Sequence, residues 1–278
     1  MNQYGEEEVI GKCHRAVYYR LKGVKPTNPP TNSSQVVFLL GHQVEAAVTE
    51  AWKQMGIWEN NSVRWENKGL NLSGEYDVVL REGDLFYGVE VKSFYGYHAN
   101  KQILGHWSGR GKAKRFIAGK PKDEHLMQAV LYVKQSDDDL AGFKLFYVSR
   151  DNCDMAEHNI TIDKEDNIYI NGKRETRFTV KDIHERYKTM NMYIENDLKP
   201  DREYTLHPSD ERVEVLFQRG ALSKTAYESH TKGKEKVRDW HCSYCDHKDH
   251  CWNVDTGEEP IVTKAEEVAP DALVHGSL

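Results

Sequence analysis

The sequence predicts an α/β chain in which helical and extended segments alternate. Three observations predict it. The run "QVVFLLGHQVEAAVTEAWKQM" has the apolar spacing of a long helix, and it is followed by three extended segments, near 62–67, 74–80 and 86–93, where β-branched and aromatic residues gather. Then "DEHLMQAVLYVKQ" returns to helix and "GFKLFYVS" to strand. A length of 278 residues suits one large domain with elaborations or two small ones, and a single catalytic domain is the expectation.

Taken in order, residues 7–22, "EEVIGKCHRAVYYRLK", predict a first helix interrupted at Gly11, and the Pro- and Asn-rich "VKPTNPPTNSS" predicts a loop. Ser33 or Ser34 is placed to cap the long helix and Gly56 to end it. After the three extended segments comes a glycine-rich basic stretch, expected to be a mobile loop. Beyond the strand "GFKLFYVS", "HNITIDKEDNIYING" predicts a hairpin, and helices are expected from about Val180 to Asn196 and from Ser209 to about Ser229. Residues 254–278 are acid-rich and poor in apolar groups, which predicts a flexible acidic tail.

Composition narrows the function. Charged residues make up 29% and hydrophobic ones 38%, and the formal net charge is −6, so the chain as a whole is no polycation and any contact with nucleic acid must be local. The stretch from Lys101 to Lys122 supplies such a place: Lys101, Arg110, Lys112, Lys114, Arg115, Lys120 and Lys122 occur there without an acid, with Trp107 and Phe116 among them. A solvated basic loop is the plainer reading of the same residues. No apolar run approaches the ~20 residues that span a bilayer, and the acidic start "MNQYGEEEVIGK" does not read as a signal peptide, so a cytoplasmic protein is expected, in a host cytoplasm if the source is viral.

The segment "GEYDVVLREGDLFYGVEVKS" carries the sharpest chemistry. A two-residue turn at Gly83-Asp84 sets Asp77 opposite Glu90 and Glu75 opposite Lys92. Alternation then puts Glu75, Asp77, Val79, Gly88, Glu90 and Lys92 on one face, the candidate site. Tyr76, Val78, Leu80, Tyr87, Val89 and Val91 fall on the other, the expected core side. Opposed β-carbons lie only ~4.5–5.5 Å apart, so two facing carboxylates repel unless a proton or cation sits between them. Mg²⁺ or Mn²⁺ satisfies that need through oxygen ligands, and a neighbouring lysine offers charge to a phosphate or a water. The bland alternative is a solvated sheet face with a Glu75–Lys92 ion pair.

An acid followed at hairpin distance by Glu-x-Lys resembles the signature of the PD-(D/E)XK nuclease superfamily, here Asp77, Glu90 and Lys92. Upstream, "GHQVEAAV" is similar to the helical histidine motif of the RecB-like branch. Downstream, "QAVLY" is similar to its Gln-x-x-x-Tyr motif, with Gln128 and Tyr132 one helical turn apart. The resemblance implies a restriction-endonuclease-like mixed sheet flanked by helices, with a helical cap. It implies a divalent metal held by His42, Asp77, Glu90 and the Val91 carbonyl, with Lys92, Gln128 and Tyr132 completing the catalytic set. No proline precedes Asp77, where "GEY" stands, and the long basic insert after Lys92 has no place in the family pattern.

Cys242, Cys245 and Cys251 crowd into "HCSYCDHKDHC", and clustered cysteines in an intracellular chain point to metal ligation more than to disulfides. With Cys13 in "CHRAVYYRL" they resemble the iron–sulfur subgroup of RecB-like nucleases, which includes the CRISPR-associated exonuclease called Cas-four and the nuclease domain of AddB. That likeness implies a [4Fe-4S] cluster on Cys13, Cys242, Cys245 and Cys251, within one nuclease domain over 1–253 whose cluster region is 1–34 and 200–253. Zinc is the rival, because His241, His247 and His250 surround the same cysteines. Cys153 has no partner at ligand spacing and reads as an ordinary thiol.

The expected activity is metal-dependent hydrolysis of DNA, as an exonuclease on single-stranded ends in recombination, repair or CRISPR spacer acquisition. Lys101, Trp107, Arg110, Lys112, Lys114 and Arg115 are the candidate DNA contacts. An integrase or helicase partner is the expectation from the relatives, and a membrane is not. Two other classes stand beside it: a non-catalytic DNA-binding or adaptor protein that keeps the fold, and a zinc-organised interaction module.

Overall fold

The computed structural model describes residues 12–29, 31–109, 113–135, 140–218 and 222–254. These fall into two compact units, one formed by the described residues up to Thr31 together with those from Met192 on, the other by Asn32–Asn191.

In the larger unit, α2 (Asn32–Met55) leads into β1 (Trp58–Asn67), β2 (Leu72–Glu82) and β3 (Leu85–Phe94). Next come α3 (Tyr97–Ile103), β4 (Gly105–Ser108), β5 (Arg115–Ala118) and α4 (Asp123–Gln135). The chain continues through β6 (Leu140–Ser149), β7 (Met155–Ile162), β8 (Ile168–Ile170), β9 (Lys173–Arg174) and the start of α5 (Val180–Glu195). One seven-stranded sheet runs in the order β1-β2-β3-β6-β7-β8-β9, while β4 and β5 form a separate two-stranded sheet. Its β3 and β6 are parallel and its other neighbours antiparallel, so the fold is α/β with a mixed central sheet flanked by helices. Parallel strands need a crossover, and α4 lies in the connection from β3 to β6.

The β2–β3 turn is the expected Gly83-Asp84, with Gly83 at φ 64°, a left-handed value suited to glycine at this point of a tight hairpin. The ladder runs from Glu82 opposite Leu85 to Val78 opposite Val89, the register that carries Asp77 toward Glu90. Val78, Leu80, Val89 and Val91 pack with Trp52 of α2, and Val44 and Val48 border that cluster. Tyr76 departs from the expected face. It lies beyond the last β2–β3 pair, and its ring meets Tyr132 of α4 and Phe143 of β6.

The other unit contains α1 (His14–Leu21), the end of α5, α6 (Asp210–Gln218), α7 (Lys224–Thr231), the short α8 (Trp240–Ser243) and a π-helical turn, His250–Val254. Instead of one helix from 209 to 229 there are two, because Ser223 adopts an extended conformation and its hydroxyl caps α7 by accepting from the Ala226 N–H. α2 begins at Asn32, just before the two serines expected to cap it. Gly11 and residues 255–278, including nearly all of the expected tail, lie outside the described residues.

The basic stretch after Lys92 is folded rather than a loop. It forms α3 and the β4–β5 hairpin, rooted on buried Ile103, with the Lys120 N–H donating to the Gln102 carbonyl at 2.7 Å. A β-carbon on Gly119 would lie 1.9 Å from the Ile103 carbonyl oxygen, so glycine allows the two arms to close at the root.

Candidate active site

Five of the residues singled out in the sequence meet in the larger unit. Glu90 is only 4% exposed, beneath α4 rather than on a solvated sheet face. Its Oε1 accepts from the Lys92 ammonium at 2.5 Å and from the Gln128 amide at 3.1 Å. Gln128 also donates to the Tyr132 hydroxyl at 2.6 Å, and Tyr132 donates to the Glu75 carbonyl at 3.0 Å. The i, i+4 spacing of Gln128 and Tyr132 therefore forms one chain of hydrogen bonds from β3 through α4 to β2. Asp77 reaches from β2 and accepts the Val91 N–H through Oδ2 at 2.7 Å. The Glu75–Lys92 pair is absent: Glu75 pairs with Arg64 of β1 at 2.8 Å, and Lys92 pairs with Glu90.

The electrostatics are uneven. Burial, then the charges of Glu90 and Glu45, push the Asp77 carboxyl well above its ordinary range, against the pull of Lys92 and the Val91 hydrogen bond. Burial also raises Glu90, outweighing the opposing effect of Lys92. For Lys92 itself burial acts downward, but Glu90, Asp77 and Glu45 together hold its ammonium above the usual lysine value. Glu90 Oε2 is buried and has no hydrogen-bond partner among the described residues. A buried carboxylate with one oxygen tethered and the other bare is costly unless something cationic or a proton meets it.

Glu45 was not among the residues that sequence reasoning selected. It sits one turn after His42 on α2, its charge bears on Asp77, Glu90 and Lys92, and His42 Nδ1 lies 3.7 Å from its Oε2. The legible signal was its place in "GHQVEAAV", where i, i+3 positions share a face. The His42 side chain is 77% exposed and contacts Glu45. Val91 contributes its N–H to Asp77. Among the described residues no group of three or more His, Cys, Asp or Glu side chains is arranged to hold a metal ion.

The other unit brings the four cysteines to one place. Cys13, Cys242, Cys245 and Cys251 all line a single cavity, together with Tyr19, Arg202, His241 and His247. Burial raises the thiol pKa of Cys13 and Cys245 and pushes Cys242 up to about 11. Backbone ties hold the walls: Asn28 donates to the Cys245 carbonyl at 3.2 Å and Arg202 to the Cys251 carbonyl at 2.5 Å. Of the three histidines nearby, His241 stacks on Tyr204 and bonds Asp239, and His250 packs edge-on against Tyr19. His247 is buried and its Nδ1 has no partner among the described residues. Cys153 is exposed and belongs to the larger unit.

Of the candidate nucleic-acid contacts, Lys101 lies on α3, Trp107 on β4, Lys114 just before β5 and Arg115 at its first position. Arg110 and Lys112 lie outside the described residues. No described helix is long and apolar enough to cross a membrane.

No protein-family model matches the chain, and no curated protein matches it. Among solved structures, a similar chain is that of the crystal structure of SSO0001, with a TM-score of 0.38 and 13% identity over 88% of this chain and 87% of that one.

Proposed function

We propose that the protein is a metal-dependent deoxyribonuclease of PD-(D/E)XK type, related to the iron–sulfur RecB-like branch, acting on single-stranded DNA ends. The observation that carries the reading is Glu90: a buried carboxylate with one oxygen fixed by Lys92 and Gln128, the other bare, and close enough to Asp77 that its charge, after burial, helps to raise the Asp77 carboxyl. A structural ion pair needs neither the bare oxygen nor the second acid.

The donor set suits Mg²⁺ or Mn²⁺, with Asp77 and Glu90 as carboxylate ligands and Glu45 or His42 from α2 as further candidates. A divalent ion there supplies positive charge beside a scissile phosphate and lowers the pKa of a water. The chain's own residues do the rest. Lys92, fixed by Glu90, presents its ammonium to charge developing on the phosphate. Gln128 and Tyr132 hold Glu90 in place from behind. Asp77 stays oriented by the Val91 N–H.

In the other unit the four thiols suit a [4Fe-4S] cluster, which supplies a cross-link between the two ends of the described chain. Zinc is the second reading, favoured by the unpartnered ring nitrogen of His247 on the same cavity.

The test is a time course on end-labelled single- and double-stranded DNA with Mg²⁺, Mn²⁺ or no added metal, for the wild type and Glu90→Gln. Metal-dependent shortening of single strands by the wild type alone is expected. A chain that binds these substrates and never cleaves them is an adaptor, and the hydrolytic reading is then wrong.

A further inference from the structure

We propose that the α3–β4–β5 insert is a single-strand grip, in which an unpaired DNA base stacks on Trp107 in the groove between that ring and Tyr97. The proposal rests on the reading that DNA is the substrate and says which element selects unpaired strands.

The rings are exposed where a core would have hidden them. Trp107 is 62% exposed and Tyr97 72%, although each sits on regular secondary structure above a buried root. Trp107 stands directly opposite Phe116 across the hairpin, with centroids 5.5 Å apart and planes at 60°, an edge contact that braces the indole while most of its surface stays exposed. The Lys114 ammonium lies over the Trp107 ring at 5.1 Å from its centroid, and the Lys101 ammonium at 5.8 Å from that of Tyr97. Each aromatic surface therefore has a cation beside it. That pairing matches a nucleotide, whose base offers a π-face and whose phosphate offers a charge.

The groove is open and lined by Tyr97, Lys101, Trp107, Asn152 and Asp154. Its polarity is lopsided. Cations stand on the α3 and hairpin side, while the 151–154 turn contributes acceptors, with the Asp154 carboxylate held by Asn152 at 2.6 Å. A phosphate is repelled from the Asp154 end and attracted to Lys101, Lys114 and Arg115. A base edge carrying N–H donors is suited to the Asp154 end. The strand thus lies with its backbone along the cations and its base turned inward. A duplex hides its base faces, so it gains only the phosphate contacts.

Full-length wild type, Trp107→Ala and Trp107→Phe are compared by fluorescence anisotropy without added divalent metal. The probes are labelled oligo(dT), an abasic strand of equal length and a duplex. The wild type is expected to bind oligo(dT) at least about fivefold more tightly than the abasic strand, with quenching of tryptophan fluorescence. Trp107→Ala should lose that difference while keeping its abasic-strand affinity, and Trp107→Phe should retain most of it. Equal affinity of the wild type for oligo(dT) and the abasic strand overturns the proposal, as does a Trp107→Ala protein that still discriminates. Cleavage assays in parallel separate the two readings. Base-dependent binding without cleavage leaves the grip standing and removes the nuclease, whereas cleavage without base-dependent binding removes the grip alone.

Discussion

The two clusters of candidate ligands are built in opposite ways. The acid site is set by strand register: once Gly83-Asp84 turns the hairpin, Asp77 is carried to Glu90, and Lys92, Gln128 and the Val91 N–H fix both carboxylates by hydrogen bonds. The cysteine cavity is assembled from distant stretches of chain, and its walls are tied through the backbone carbonyls of Cys245 and Cys251. The first is preformed and carries a repulsion that a cation relieves. The second joins residues near both ends of the described chain, so an occupant there would add more to the fold itself.

That contrast predicts its largest effect in the cysteine unit. Cys13→Ser combined with Cys245→Ser should abolish visible absorbance or bound zinc and lower the melting temperature steeply, since structural metal sites contribute on the order of 10 kcal/mol. Iron and zinc analysis with a thermal melt checks it. A colourless, metal-free wild type with the same melt as the variant would break the contrast. Next comes the acid site, where Lys92→Met should lower kcat by about 10²–10³-fold, the usual consequence of removing one charge-stabilising donor. The melting temperature should fall too, because the buried Glu90 is left without its cation, a loss of about 3–5 kcal/mol, but by less than in the cysteine unit. Single-turnover cleavage alongside calorimetry separates the two quantities.

Much of the acid site was legible because a strand has a period of two and a hairpin turn has a short list of residues. The Gly83-Asp84 turn, and with it the approach of Asp77 to Glu90, followed from those rules alone. The face of Tyr76 did not, because the pairing with β3 ends at Val78, and beyond it the Tyr76 ring turns to Tyr132 of α4 and Phe143 of β6. Glu45 shares a helix face with His42 by its i, i+3 spacing, but it escaped because that spacing does not tell which face turns to the sheet. The hairpin after Lys92 was hidden by its composition: Gly105 and Gly119 read as loop residues, yet here they permit close approach at the root of a strand pair. The mixed sheet between helices was foreseeable in kind, but the parallel β3–β6 pairing was not, since it depends on contacts across a long crossover.

A third, smaller effect comes from the repulsion itself. Asp77→Asn keeps an oxygen for the Val91 N–H and removes one of the opposed charges, so the metal-free protein should gain about 0.5–2 kcal/mol while losing cleavage. The pH dependence has a definite sign. With the folded pKa of Asp77 raised, the unfolded chain gives up this proton first, near pH ~4, and the folded chain only at higher pH. Between those values the folded state binds more protons, so stability falls as pH rises through the window. Denaturant titrations without metal should show that slope in the wild type and a flatter one in Asp77→Asn. Equal slopes would mean the acids are not opposed as described.

The smallest effect has the reverse sign and lies in the same unit, at the root of the hairpin. His158 is buried on β7, facing the Ile103 carbonyl at 3.2 Å through Nε2 and the Asn171 amide at 3.4 Å through Nδ1, with Tyr147 edge-on and Glu157 adjacent. An amide donor at Nδ1 and a carbonyl acceptor at Nε2 suit the neutral ring protonated on Nε2, and a second proton would oppose the Asn171 N–H. Burial accordingly lowers the pKa despite the favourable pull of the carbonyl and of Glu157. The unfolded chain takes up this proton first, so the contribution is complete above pH ~6.5 and is lost as pH falls toward the lowered folded value, by less than about 1.4 kcal/mol per pH unit. His158→Gln should flatten that acid limb and leave the Asp77 limb unchanged. Loss of both limbs together would show that the two ends of this sheet do not titrate independently, and the acid site would then depend on the hairpin root for its shape.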